Sequence, residues 1–446
     1  MVETQYIDLF AQYWETIDSR SAAVLNNQRQ NAFEVFKEAG FPNTNAEDFQ
    51  NSDIAEKFGL DYGLNIRQYI PDINPYVAFR CNVHSLSTSL YFLLNDSFSE
   101  KYLPEIEYPE GVYIGGLKTF SEKYPDICAK YYGQTAEMKN NSVVAFNTMF
   151  AQDGFVIYVP DNTIIEKPIQ LINILIGNAD LLVNRRILLI AGKNSQFKLL
   201  TCDHTVDNSK FLITQVTEIF AGENAHIDYY ALEENSDTTT LITSTFVNQA
   251  KGSNILVNNV TLNCGFTRNN YRVTLAGEHA EANICGVVIA DKEQHVDNFI
   301  YINHAKPNCY SNQLFKYVLQ EKSVGVFSGR ILVEKNAQKT IAYQSNNNLC
   351  SSPLAQMYSK PQLEIYADDV KCSHGLTTGQ LDEDALFYLR ARGILEEDAR
   401  LMLMQAFTSS VLEYIRIDEL KKRLYELIEK RFKGEIARCG DCAICK

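Results

Sequence analysis

Hydrophobic positions follow different periods in different parts of the chain. From residue 1 to about 145, apolar side chains recur mainly at steps of three and four, the spacing of amphipathic helices. We therefore predict a mostly helical N-terminal domain over residues 1–145. A further helix is predicted around Ser85 to Ser97, because four leucines there share one helical stripe. These are Leu86, Leu90, Leu93 and Leu94.

Residues 146–375 have a different sequence pattern, in which short runs of β-branched and aromatic residues are separated by Gly, Asn and Asp. A weak repeat, consisting of a small residue, Gly and a polar pair, begins at Ala191, Ala221 and Ala276, and Ala250 lies near the midpoint of the longer gap. A period in the twenties to about thirty predicts the stacked coils of a β-solenoid. A large antiparallel sandwich is the alternative, because the spacing is irregular.

Helical spacing returns over residues 376–433, where we predict a C-terminal helical domain. Asp382 and the two acids after it stand where a helix N-terminus favours negative charge, and Gly393 stands where that helix would end. Two more helices are predicted, at Glu396–Tyr414 and at Asp418–Phe432. A cysteine-rich tail, residues 434–446, follows them.

Composition and charge narrow the class of protein. With 446 residues and 46% hydrophobic content, the chain can bury a sizeable core. A net charge of -14 argues against binding to nucleic acid or to anionic membranes, which both need a basic face. Apolar runs fall far short of the ~20 residues of a membrane helix, and residues 1–5 lack a signal-peptide layout. We therefore expect a cytoplasmic protein whose eleven cysteines are thiols.

Cys372 and His374 form the first candidate site. They are two residues apart at the end of a strand-like run, so both side chains are expected on one face. Thiolate and neutral imidazole are good ligands for iron or zinc, and the same pair can serve as a nucleophile and its base. A buried cysteine beside a structural histidine is the plain alternative.

Two further groups of residues have the composition of metal sites. His295 and Asp297, followed by His304, form one group: the His and Asp can bind a metal or form a base with its orienting carboxylate, and the plain alternative is an ordinary hydrogen-bonded pair on a coil. In the tail, Cys439, Cys442 and Cys445 can close on one metal or cluster if a fourth ligand comes from elsewhere. Zinc fits this spacing as well as iron does, and a tail without metal is the alternative.

The C-terminal third also carries a family resemblance. The run from Lys371 to Gly375, with the stretch from Gly379 to Ile394, resembles the SufB/SufD family of iron-sulfur cluster assembly proteins, in its SufD branch. The paired Cys and His favour that branch. Supporting matches, dense from about Gly286 to Ile415, include Asn312-Gln313, Val326 to Arg330, Gln344 to Leu349 and Ser359 to Ile365.

The resemblance implies a mainly β fold, a right-handed parallel β-helix between N-terminal and C-terminal helical domains. It also implies that the chain pairs with SufB through the β-helices and binds the ATPase SufC through the region after Gly379. The same resemblance implies that Cys372 and His374, near SufB, bind iron or an iron-sulfur cluster transiently. An exposed solenoid edge also makes a homodimer possible for the isolated chain.

Other function classes fit the sequence less well. A carbohydrate-active solenoid enzyme needs paired acids in a groove, whereas the conspicuous acids here stand at a helix start. The sequence also lacks a phosphate-binding P-loop, since Gly192-Lys193 is followed by Asn194. We therefore expect a scaffold that is not an enzyme. A purely structural partner that never binds iron is the competing hypothesis.

Overall fold

The computed structural model describes residues 2–78, 89–139, 141–177, 179–207 and 209–434. The three tail cysteines, Cys439, Cys442 and Cys445, lie outside these ranges. Among the described residues, none of the helices is long and apolar enough to span a membrane.

Helices lie at both ends of the described chain. They are α1 Val2–Arg20, α2 Ala23–Asn26, α3 Arg29–Ala39, α4 Ile54–Lys57, α5 Pro75–Ala78, α6 Leu117–Lys123, α7 Pro125–Tyr131, α8 Ser142–Phe150, α9 Glu383–Ala391, α10 Glu396–Leu412 and α11 Asp418–Phe432. Short 3-10 turns occur at Glu47–Phe49 and Glu100–Tyr102.

Most strands lie between the two helical regions, whereas β1 to β4 alternate with helices of the N-terminal region. They are β1 Gly63–Leu64, β2 Ser89–Leu94, β3 Ser97–Phe98, β4 Tyr113–Gly116, β5 Phe155–Val159, β6 Ile169–Leu175, β7 Leu181–Ala191, β8 Gln196–Thr205, β9 Phe211–Ala221, β10 His226–Glu234, β11 Thr240–Gln249, β12 Asn254–Asn263, β13 Phe266–Leu275, β14 Glu281–Ala290, β15 His295–His304, β16 Tyr310–Leu319, β17 Val324–Val333, β18 Ile341–Cys350, β19 Gln356–Ile365 and β20 Lys371–Gly379.

These strands form a parallel β-solenoid of about 7 turns. From β5 onward, odd-numbered strands pair in one sheet and even-numbered strands in the other, so each turn contributes one strand to each sheet. Antiparallel pairing occurs at the N-terminal end, where β4 joins β5 and β3 joins β2. The fold predicted from the sequence, a mainly β solenoid between helical regions, is confirmed, and the sandwich alternative is wrong.

The sequence repeat marks one corner of the solenoid. Ala191 pairs in register with Ala221, so equivalent repeat positions stack on successive coils. A Cβ on Gly222 would lie 2.8 Å from the carbonyl carbon of Gly192, which explains why glycine follows the alanine. Asn194 and Asn224 then take left-handed backbone angles, and Asn224 Nδ2 donates to Asn194 Oδ1 at 3.0 Å. The repeat therefore records close backbone contact between coils.

The predicted helix around Ser85 to Ser97 is wrong over its described part. Residues 89–94 form strand β2, which pairs in parallel with β6 and so starts the second sheet. Its side chains are buried on both faces except for a half-buried Leu90. A short apolar run buried on both sides has no distinguishing period, so its position at the end of a sheet decided its conformation. Residues 85–88 lie outside the described ranges.

Helices cover the outer faces of both sheets. The first helices and the fully buried α8 cover the outer face of the first sheet, where Phe36 and Phe146 belong to the same core as Leu212. On the second sheet, the predicted apolar stripe of α11 is buried, including Leu420 and Leu424. The proposed domain limits at 145, 375 and 433 stay predictions, and α8 crosses the first of them.

Candidate functional site

The candidate site lies on β20, the last strand of the second sheet. β20 pairs in parallel with β18, and Cys372 and His374 lie beside Ala342 and Gln344 in that register. Ala342 and Gln344 are buried and face the solenoid interior. Because side chains alternate along a strand, Cys372 and His374 therefore share the inward face of the final coil.

Cys372 lies on the part of this face that other side chains cover. Its side chain is half-buried and packs against an apolar cluster that includes Val333, Ala342 and Ala367. Burial raises the pKa of the Cys372 thiol, while a backbone hydrogen bond from Ala342 lowers it in part. The thiol is therefore mainly protonated at neutral pH and would lose its proton when it binds a metal ion.

His374 lies on the part of the same face that is exposed to solvent. Its side chain is exposed, because β20 ends the sheet order and no further coil among the described residues covers it. A Cβ added to the next residue, Gly375, would have no atom of the described part of the chain within 4 Å, which shows how open this part of the strand is. A ligand or a partner side chain can approach the imidazole directly.

Exposed apolar side chains surround this end of the solenoid. Tyr358 and Ile365 on β19, Tyr366 just after it and Leu376 on β20 are all exposed. Both final strands also keep one edge without a pairing strand among the described residues. An uncovered apolar strand edge is suited to pairing with another protein chain.

Helix α9 follows β20 directly and has well-defined ends. Asp382 Oδ1 accepts hydrogen bonds from the backbone N–H groups of Asp384 and Ala385, both at 3.0 Å. Gly393 has a φ of 85°, and its N–H donates to Arg390 O at 2.9 Å. These caps match the helix start and stop expected from the sequence.

One face of α9 and the segment after it is apolar and exposed. Phe387 is 72% exposed, Leu395 is 73% exposed, and Tyr388 is also exposed. By contrast, α10 and α11 are fixed to the second sheet. Asn258 Nδ2 donates to Val411 O at 3.1 Å, and the Arg431 guanidinium binds both carboxylate oxygens of Asp291. The exposed patch therefore projects from a firmly docked helical pair.

His295 and Asp297 meet through a residue of the N-terminal region. Ser52 Oγ lies 3.0 Å from His295 Nε2 and donates to Asp297 Oδ2 at 2.5 Å. Arg268 also binds Asp297 in a buried ion pair. Burial lowers the pKa of His295 to about 4, so the ring is neutral at physiological pH. The arrangement ties the N-terminal segment to the solenoid.

His304 lies apart from this group. Its Nε2 is 2.8 Å from Ser311 Oγ, and burial lowers its pKa to about 4. Across residues 2–434, in the parts that the structure describes, no group of three or more His, Cys, Asp or Glu side chains is arranged to hold a metal ion. The hypothesis of a metal site built from His295, Asp297 and His304 together therefore gains no support.

Sequence reasoning missed two residues near these sites. Ser52 has no sequence signal that would connect it with His295, because the two are separated by 243 residues. Gln344, the in-register neighbour of His374, appeared only within a matching run of the family resemblance. The signal available in the sequence was the position of Gln344 one predicted coil before His374.

Comparison with known families covers nearly the whole chain. A family model described as the SUF system FeS cluster assembly SufBD core domain matches residues 174–407. A second, described as the SufBD protein N-terminal region, matches residues 1–171. The core-domain match covers the solenoid strands from β7 to β20 and the helix α9.

Individual relatives agree with these matches. An iron-sulfur cluster assembly SufBD family protein of Synechocystis is 28% identical over 421 residues, or 92% of this chain and 91% of the relative. The iron-sulfur cluster assembly protein SufD of Escherichia coli is 35% identical over 211 residues, or 47% of this chain and 50% of the relative. SufD of Bacillus subtilis is 22% identical over 434 residues, or 97% and 98%.

Proposed function

Because the chain belongs to the SufBD family of the SUF iron-sulfur cluster assembly system, we propose that it is a SufD-type scaffold subunit rather than an enzyme. In this proposal it pairs with SufB, binds the ATPase SufC and helps to hold iron or a nascent cluster. The observation that carries the proposal is the placement of His374, an exposed imidazole on the inward face of an uncovered final coil.

SufB is proposed to cover the open end of the solenoid. The unpaired edges of β19 and β20 offer backbone hydrogen-bonding groups, and Tyr358, Tyr366 and Leu376 offer apolar contact. A partner built as a similar solenoid can continue either sheet. A second copy of this chain has the same edge, which supports a homodimer when SufB is absent.

SufC is proposed to bind the exposed face of α9. Aromatic and leucine side chains such as Phe387, Tyr388 and Leu395 are typical of residues that dominate binding energy in interfaces. The neighbouring α10 and α11 are anchored to the second sheet, so movement of a bound ATPase would be transmitted to the solenoid.

Iron or a nascent cluster is the cargo proposed for Cys372 and His374. Two ligands are too few for a stable site, so SufB would supply the others, and the cargo would be held at the interface. The tail thiols, Cys439, Cys442 and Cys445, are proposed as a separate metal-binding group, with iron or zinc as the metal.

The test is a His374→Ala substitution in the complex reconstituted with SufB and SufC. Cluster formation should fall about tenfold or more, because a direct ligand is lost. His226→Ala is the matched control, since His226 is also exposed but lies at the start of β10. Normal cluster yield in an intact His374→Ala complex would favour the alternative, a structural partner that does not bind iron.

A further inference from the structure

A column of polar side chains leads from the solenoid interior to His374. Gln313 on β16 pairs with Gln344 on β18, and Gln344 pairs with His374 on β20. Neighbours in register on parallel strands lie about 4.8 Å apart, with their side chains on the same face. His374 is therefore the outermost member of a column whose inner members are two carboxamides.

Gln344 has one polar atom without a partner. The side chain is 2% exposed, and its Nε2 donates to Gln313 Oε1 at 2.6 Å. Its Oε1 is also buried and has no hydrogen-bond partner among the described residues. A buried acceptor without a donor is unfavourable, so this oxygen is available to any N–H group that reaches it.

The opposite strand leaves space for this carboxamide pair. A Cβ on Gly329 would lie 2.1 Å from Gln344 Nε2 and 2.9 Å from Gln313 Oε1. Any larger side chain at residue 329 would displace the pair. The two carboxamides are therefore an integral part of the interior at this end of the solenoid.

We propose that Gln344 positions His374, an inference that rests on the proposed role of His374 as a ligand. When the imidazole turns inward, Gln344 Oε1 accepts the N–H of one ring nitrogen. The lone pair of the other nitrogen is then directed to the open end of the coil, where iron or a cluster would bind. Metal-binding histidines generally donate their second nitrogen in this way, which fixes both tautomer and ring orientation.

Gln344 is better placed for this role than the other buried carboxamide with an unpaired oxygen on β18. Asn348 is also buried and its Oδ1 lacks a partner among the described residues. However, Asn348 pairs in register with Thr378, four residues along the strand from His374, or about 13 Å away. Asn348 therefore provides a matched control of the same chemistry on the same strand.

The experiment measures the histidine tautomer in the full-length protein. Long-range 1H–15N NMR of protein labelled in its histidine rings reports the ratio of the two neutral tautomers, and His374→Asn assigns the signal. In the wild type, the ratio of the major to the minor neutral tautomer should be about fivefold larger for His374 than for exposed His226 in the same spectrum. Gln344→Leu should abolish this preference, whereas Gln344→Glu, which keeps an acceptor at the same reach, should retain it.

Two further variants keep the test decisive. Asn348→Leu should leave the His374 tautomer ratio unchanged. Gln344→Asn stays polar but is one methylene shorter, so it should lose the preference even if Gln344→Leu does not fold. An unchanged ratio in Gln344→Asn, or an equal change in Asn348→Leu, would overturn the inference.

Failure of this inference differs from failure of the proposed function. If His374→Ala abolishes cluster formation while Gln344→Asn leaves the tautomer ratio unchanged, only the positioning role is rejected. If His374→Ala leaves cluster formation normal, the ligand role is rejected regardless of the tautomer result.

Discussion

Glu218 and Gly133 are 85 residues apart in the sequence, yet the Gly133 N–H donates to Glu218 Oε2 at 2.7 Å. Glu218 lies on β9, and its other oxygen accepts from the N–H groups of Thr135 and Ala136 at 3.0 and 3.1 Å. One buried carboxylate thus binds three backbone N–H groups of the loop after α7. It fixes that loop to the outer face of the first sheet.

Replacing Glu218 with Gln should therefore destabilise the fold. The amide group of Gln has a single acceptor oxygen, so at least one buried N–H loses its partner, at a cost of about 2 kcal/mol. Chemical denaturation with urea measures this change in the free energy of unfolding. Glu223→Gln is the control, because Glu223 pairs with Lys193 at the surface and should change stability by less than about 0.5 kcal/mol.

Gly277→Ala tests the close contact between coils. A Cβ at this position would lie 2.0 Å from the backbone nitrogen of Lys251 on the preceding coil, and backbone cannot move aside cheaply. We expect a loss of about 2 kcal/mol or more, measured as a lower urea midpoint. Gly379→Ala should be tolerated, since a Cβ there would have no neighbour within 4 Å in the ranges that the structure describes. Equal stability of the two variants would contradict the stacking interpretation.

Glu233 should make stability fall as the pH rises. It is buried beside Asp203, and burial, with repulsion from Asp203, raises its pKa to about 7 despite hydrogen bonds from Thr261, Asn259 and Asn269. A raised folded-state pKa means that the folded protein binds the proton more tightly than the unfolded chain. Its stabilising effect is complete below about pH 4.5 and is lost as the pH rises through 7.

Glu233→Gln should remove the part of the pH dependence of stability that Glu233 contributes. A glutamine can keep hydrogen bonds with Thr261 and Asn259 without a charge, so the variant should gain on the order of 2 kcal/mol relative to wild type between pH 5 and pH 9. Thermal unfolding at both pH values measures the difference. Glu278→Gln, at an exposed position, should follow the wild type. Parallel curves for Glu233→Gln and wild type would show that Glu233 is not the group responsible.

The exposed patch on α9 predicts a specific effect on SufC binding. Replacing Phe387 and Leu395 together with Ser should weaken binding of SufC by about a hundredfold, because both side chains are largely exposed and would be buried by the ATPase. Titration of labelled SufC measures the affinity. Tyr124→Ser, at another exposed aromatic position, is the control. Unchanged affinity of the double variant would place SufC elsewhere.

Metal analysis tests the tail. Protein purified without oxygen should lose about one metal ion or cluster per chain when Cys439, Cys442 and Cys445 are all changed to Ser. Mass spectrometry of iron and zinc distinguishes the two metals. Cys350→Ser, a half-buried thiol on β18, should leave the metal content unchanged. Equal metal content in the triple variant and wild type would identify the tail as free of metal.

Features encoded in short stretches were predictable from the sequence alone. Asp382 and Gly393 mark the ends of α9, because helix caps depend on a few neighbouring residues. The repeat at Ala191 and Ala221 predicted stacked coils, because each coil needs the same small residue where it approaches the next. The strand period placed Cys372 and His374 on one face, and that is a local property as well.

Only the tertiary structure decided the features that depend on distant neighbours. Ser52 reaches His295 across 243 residues, and no local pattern encodes such a contact. β2 is a strand because β6 offers it an edge, although its leucines also fit a helix. The difference between half-buried Cys372 and exposed His374 arises because β20 ends the stack. The sequence determined the repeating unit and the types of candidate ligand. The burial of each side chain on the last coil depends instead on which neighbouring strands and side chains cover it, and only the tertiary structure decides that.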